Sequence, residues 1–135
     1  VSKKPAYVAG FPESMKTELQ VNSESGSRPY AIVILVKKDA EWWGLDQEAR
    51  TALMQEHTQA ALPYLKTVKR KLYHSTGLDD VDFITYFETE KLEDFHNLVR
   101  ALQQVKEFRH NRRFGHPTLL GTMSPLDEIL EKFAQ

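Results

Sequence analysis

The sequence predicts an α+β fold in which one antiparallel sheet carries its helices on a single face. Three observations lead there. Four segments read as strands: "YAIVILVKK", "RKLYHSTG", "DFITYFET" and "PTLLGTM". Two segments, one starting at Gln47 and one in "KLEDFHNLVRALQQV", carry apolar residues at helical spacing. Their order along the chain is β-α-β-β-α-β, the split βαβ or ferredoxin-like arrangement, with one helix added at the C-terminus.

Composition agrees with a single folded unit. The 135 residues suffice for one domain with a real core and fall short of two ordinary ones. An apolar fraction of 41% beside 27% charged residues is that of a folded chain, not a disordered one. The net charge of −1 supplies no global basic field, so nucleic acid is not an expected partner. The local cluster of Lys66, Lys69, Arg70 and Lys71 reads as a helix-to-strand junction. Without cysteine there are no disulfides, thiolate metal sites or cysteine nucleophile. No apolar run reaches the length of a membrane span, so no membrane partner is expected. The chain begins at Val1 without Met or a signal peptide, which reads as a processed or truncated form.

Taken in order, residues 9–29 are polar and turn-rich and read as a surface loop. "YAIVILVKK" is a β-branched run suited to a strand buried on both faces. "DAEWWGLD" reads as a loop, ending at Asp46 as a helix N-cap. The helix that follows places Ala49, Leu53, His57, Ala60, Ala61 and Tyr64 along one stripe. Pro63 should kink or end it, because proline lacks the amide donor and collides with the preceding turn. "GLDD" supplies turn chemistry between the next two strands. The second helix puts Leu92, Phe95, Leu98, Val99 and Leu102 on one side. "PTLLGTM" is a short last strand, and "SPLDEILEKFA" a closing helix with Ser124 as N-cap and Pro125 at its first position. The sheet face away from the helices must meet something else: a partner domain, a second subunit or a ligand.

His57 lies on a helical face that should point inward, where each ring nitrogen needs a partner. It is either a core histidine satisfied by neighbours or a metal ligand whose second nitrogen is oriented by an acceptor. The zinc spacings HxxxH, HExxH and CxxC are absent, so a structural zinc is not expected. A single protein ligand suits heme iron, where the porphyrin supplies the four in-plane donors. Strand alternation then puts Arg70, Leu72 and His74 on one face of their strand, and Phe83, Thr85 and Phe87 on one face of the next. If those faces coincide, Arg70, Leu72, Thr85 and Phe87 line an apolar compartment with one fixed cation; otherwise Arg70 is a strand-end surface residue. Glu107 is either an exposed loop acid or an acceptor that orients His57. His96, His110 and His116 read as solvated. Trp42 and Trp43 are adjacent and cannot both face the same way, so one should cover a ligand edge or an interface unless both close the core.

"PYAIVILVKKDAEWW", "EHTQAALPYLKTVKRKLYHSTGLDDVDFITYFET" and "VKEFRHNRRFGHPTLLGT" closely resemble the heme-binding domain of chlorite dismutases, in their longer, pentamer-forming lineage. The likeness runs from about Arg28 to the C-terminus and weakly back to Tyr7. It implies one half of a two-repeat ferredoxin-like fold. Residues 28–135 would be the heme-binding repeat, and 1–27 an incoming strand and loop left from the preceding one. It also implies one heme b per subunit. His57 would be the proximal iron ligand, Glu107 the acceptor of its other ring N–H, and Arg70 the distal catalytic cation. Leu72, Thr85 and Phe87 would form the distal wall. Trp42, Arg28 and Tyr7 would contact the cofactor, the latter two at the propionates. The implied reaction turns chlorite into chloride and dioxygen through a ferryl species and hypochlorite that recombine. A homo-oligomer, pentameric for the full subunit, and a periplasmic location are further expectations from the resemblance. Two alternatives stand beside it: a ferredoxin-like oligomeric domain that binds heme or a small molecule without turnover, and a relative of the coproheme decarboxylases.

Overall fold

The computed structural model describes residues 6–134, with side chains from residue 8 onward. In chain order the elements are a 3₁₀ turn (Ala6–Gly10), α1 (Glu13–Glu24), β1 (Tyr30–Lys38), α2 (Ala40–Gly44), α3 (Gln47–Ala61) and β2 (Val68–His74). Then come β3 (Phe83–Thr89), α4 (Leu92–Leu102), a 3₁₀ turn (Lys106–His110), β4 (Asn111–Thr122) and α5 (Leu126–Phe133). The four strands form one sheet in the order β2-β3-β1-β4, each neighbour antiparallel. That is the ferredoxin-like topology expected from the element order.

Strand alternation sets the layers. On β1, Ile32, Ile34, Val36 and Lys38 are buried, while Ala31, Val33, Leu35 and Lys37 between them are half-buried. The buried set faces the helices. There it joins Val68, Phe83 and Phe87 from the sheet and Ala61, Leu98 and Leu102 from α3 and α4 in one core. The β1 run is thus covered on one face and partly open on the other. That second face carries Val33 opposite Tyr86 and Leu35 opposite Ile84.

The helix ends follow local chemistry. Asp46 caps α3, its carboxylate accepting from the Ala49 amide at 2.8 Å. The helix stops at Ala61, and Pro63 sits in a 3₁₀ turn over Leu62–Tyr64. Gly77, with φ of 79°, takes a left-handed conformation in the β2–β3 turn that a side chain would resist.

Four elements differ from the sequence reading. Residues 13–24 are helical, not loop: α1 buries only Met15 and Asn22, seven positions apart, so it has almost no apolar stripe. The segment "AEWWG" forms the short helix α2, capped by Asp39 accepting from the Trp42 amide at 2.7 Å. β4 starts at Asn111, well before Pro117. As an edge strand it tolerates proline, with register irregularities where it runs along Ile34–Val36 and Lys37–Lys38. Ser124 does not cap α5; Pro125 holds the N-cap position and no side chain caps the helix. Leu126, Leu130 and Phe133 of α5 are exposed, with Ile129 at the margin. Among the described residues no helix is long and apolar enough to cross a membrane.

Candidate functional site

A cleft enclosing about 1000 Å³, mouth included, opens between the helix layer and the sheet. From the helices it is lined by His57, Thr58, Ala61, Leu98 and Leu102. From the sheet come Arg70, Leu72, Phe83, Thr85, Phe87 and Phe114. The antiparallel register pairs Arg70 with Phe87 and Leu72 with Thr85, so strand parity does bring these four to one wall. The Thr85 hydroxyl donates to the Ile34 carbonyl at 2.8 Å, which leaves the wall little free polarity. Arg70 is half-buried, and its backbone amide donates to Asn22 Oδ1 at 3.0 Å.

His57 sits at the edge of the buried stripe of α3, one turn after Met54 and beside Thr58. Its Nδ1 lies 2.8 Å from Glu107 Oε2. Glu107 is held in the 3₁₀ turn after α4 and is 3% exposed. Its other oxygen accepts from Lys38 Nζ, a buried ion pair. Lys38 also donates to Asn111 Oδ1 at 2.8 Å, and its ammonium lies 4.5 Å from the centroid of the Trp42 ring. Its backbone amide is fixed by Asp82 Oδ2 at 2.8 Å.

These contacts set the charges. Burial pushes the Glu107 carboxyl up, but the hydrogen bond from His57 and the charges of His57 and Lys38 outweigh it and bring the pKa down to about 2. Burial lowers the Lys38 ammonium, against the opposing pull of Glu107, Asp39 and Asp82. An ionised carboxylate only accepts, so Nδ1 of His57 carries a proton, and in the neutral imidazole the lone pair is then on Nε2. No hydrogen bond engages Nε2 among the described residues. The result is a basic, oriented imidazole nitrogen on one side of an apolar cleft and a guanidinium-bearing strand on the other.

Of the expected site residues, His57, Glu107, Arg70, Leu72, Thr85, Phe87 and Trp42 all line this cleft. Arg28 does not; it precedes β1, with its amide bonded to Glu88 Oε1 and its Nη1 buried without a partner. The Tyr7 side chain lies outside the described residues. Trp42 is buried, whereas Trp43 faces out and stacks on Phe83 at 6.2 Å. His74 is outside the lining and packs its edge on Phe83. His110 is not solvated: its Nδ1 is 3.1 Å from Asp39 and its side chain is 14% exposed.

Lys38 and Asn111 are the members that sequence reasoning missed. Lys38 shares strand parity with Ile32, Ile34 and Val36, an inward register that was readable. Asn111 carries no such signal, because the start of β4 was itself not read as strand.

The chlorite dismutase family model matches residues 1–124. The chain belongs to the chlorite dismutase family. It is 51% identical over 108 residues to the chlorite dismutase of Ideonella dechloratans, covering 79% of this chain and 38% of that protein. A solved chlorite dismutase from Candidatus Nitrospira defluvii in complex with imidazole is 96% identical, with a TM-score of 0.92, covering all of this chain and 57% of that one. The dimeric chlorite dismutase of Nitrobacter winogradskyi is 25% identical with a TM-score of 0.76, over 92% of this chain and 74% of that one. A coproheme decarboxylase from Mycolicibacterium smegmatis is 27% identical over 128 residues, 95% of this chain and 48% of that protein. The matched stretch thus spans less than half the length of the curated relatives, 38% of one and 48% of the other.

Proposed function

We propose that this domain binds heme b, which His57 would hold through the iron, and converts chlorite to chloride and dioxygen within the full-length subunit. One observation carries the reading: His57 has its Nδ1 committed to ionised Glu107 and its Nε2 available, in an apolar cleft that also holds Arg70. These residues fit a heme. The cleft has one basic nitrogen for iron, hydrophobic walls for a porphyrin, and no acid in its lining besides Glu107 among the described residues.

When bound, the heme iron supplies an acceptor for one oxygen atom of chlorite. The chain's own residues do the rest. Glu107 fixes the His57 tautomer and strengthens its electron donation, and Lys38 holds Glu107 in place. Arg70 is a permanent cation; in a pocket walled by Leu72, Thr85 and Phe87 it binds chlorite and retains hypochlorite until dioxygen has formed. Overall, ClO₂⁻ becomes Cl⁻ and O₂, which balances without a proton, an added electron or a co-reactant. No general acid or base is required, in keeping with a lining rich in apolar side chains. Assembly of the full subunit into a homo-oligomer, a ring of five, and residence in the periplasm rest on the family resemblance.

Titrating the full-length protein with heme b and adding chlorite tests this reading. His57→Ala should lose the Soret signature of ligated heme. Arg70→Ala should keep it but evolve less oxygen and release free hypochlorite. Unchanged heme ligation in His57→Ala would refute the assignment of His57 as the iron ligand.

A further inference from the structure

β2 is an edge strand, so every second residue turns its amide and carbonyl toward the open side of the sheet. Val68 and Arg70 are two such residues, and one side chain satisfies both. Asn22 of α1 donates from Nδ2 to the Val68 carbonyl at 2.7 Å and to the Leu65 carbonyl at 2.8 Å. It accepts from the Arg70 amide through Oδ1 at 3.0 Å. Its carboxamide thus stands in for the peptide unit of an absent neighbouring strand. Asn22 is only 4% exposed, and its own backbone is tied down, its carbonyl accepting from both the amide and the hydroxyl of Ser25. A polar residue buried to this degree, at the end of the short stripe of Met15 and Leu19, is there for its hydrogen bonds.

We propose that Asn22 is a positioning residue for Arg70, and through it for the anion bound in the cleft. The inference rests on the reading of Arg70 as the anion-holding cation. The reach of the Arg70 guanidinium starts from its Cα, so a shift of the backbone there carries the cation with it. Asn22 fixes that backbone from the side opposite β3, while the ladder to β3 holds the flanking residues Lys69 and Lys71, which lie opposite Glu88 and Tyr86. Misplacement of a binding group by about 1 Å is enough to cost on the order of 100-fold in rate.

The test is a double-mutant cycle in the full-length, heme-loaded protein, read by fluoride affinity of the ferric form and by chlorite turnover. Asn22→Leu removes the carboxamide at similar volume; Asn22→Ser is a milder form that leaves room for a bridging water. Each should weaken fluoride binding in the wild-type background, Asn22→Leu by about tenfold, the scale of one or two hydrogen bonds. In an Arg70→Ala background neither should weaken it further. Hydrogen exchange of the residue 70 amide should accelerate in both backgrounds, because that bond is made to Asn22. Equal losses with and without Arg70 would overturn the proposal in favour of a structural role alone. So would wild-type fluoride affinity in both Asn22 variants. If Arg70→Ala itself left affinity unchanged, the positioning role would fall together with the reading of Arg70. Accelerated exchange would then still report the anchor, which separates that failure from a failure of the Asn22 contact.

Discussion

Removing Lys38 should damage the proximal side of the cleft more than any other single change away from His57. Lys38 and Glu107 have side chains 4% exposed each, so neither charge is solvated and each depends on the other. Deleting one member of such a pair leaves an uncompensated buried charge, at a cost of about 3–5 kcal/mol. The depression of the Glu107 pKa to about 2, from an ordinary 4.5, corresponds to roughly 3 kcal/mol of stabilisation shared among its partners, the same order. Lys38→Met keeps an unbranched apolar stem and removes the ammonium, with its bonds to Glu107 and Asn111 and its place over the Trp42 ring. Melting of the heme-free full-length protein near neutral pH should therefore drop by roughly 10 °C, at a few degrees per kcal/mol for a chain of this class. The sign with pH follows. A carboxylate whose folded pKa is depressed stabilises above its unfolded pKa and loses that stabilisation as pH falls through the folded one. The gap between wild type and Lys38→Met should thus be widest at neutral pH and narrow as pH falls toward about 2. Adding Glu107→Gln to Lys38→Met should recover much of the lost stability, because no charge is then left buried. A double variant no more stable than Lys38→Met, or a gap that does not change with pH, would refute the reasoning.

Other outcomes follow from the same geometry. His74→Ala should leave heme b titration unchanged, since His74 packs on Phe83 outside the cleft lining; loss of the Soret band in that variant would contradict the ligand assignment. Asp46→Ala should destabilise by about 1 kcal/mol in thermal melts through loss of the α3 cap, without changing the visible spectrum of the loaded protein. The Tyr86 phenol, raised to about 12 by burial and by its hydrogen bond to Glu88, should be among the last tyrosines to ionise in an ultraviolet titration. Its stabilising contribution is present below the ordinary phenol pKa and is lost as pH rises through the folded value, so Tyr86→Phe should flatten the alkaline edge of the stability profile.

The sheet and its two main helices were legible because their burial is periodic. β1 alternates in burial, and the side-chain parity of β2 and β3 was enough to put Arg70, Leu72, Thr85 and Phe87 on one wall. Lys38 obeys the same parity, but a lysine at the end of a strand reads as solvated unless its partner is known. That partner, Glu107, is 69 residues away, and the contact of Glu107 with His57 spans 50; neither leaves a local trace. The family resemblance, not spacing, supplied the His57–Glu107 link. α1 escaped because its two buried positions include a polar one, and Asn22 matters for the edge of β2 instead of the core. β4 was cut short at Pro117, where an edge strand accepts a residue that an interior strand would not.

If the cleft between His57 and Arg70 holds a heme, both oxygen atoms of chlorite should end as dioxygen. An oxygen electrode on the heme-loaded, full-length protein tests it most directly. One dioxygen and one chloride are expected for each chlorite consumed, as the balanced reaction requires. Heme-loaded protein that evolves no oxygen from chlorite, or consumes it while releasing hypochlorite in its place, would contradict it.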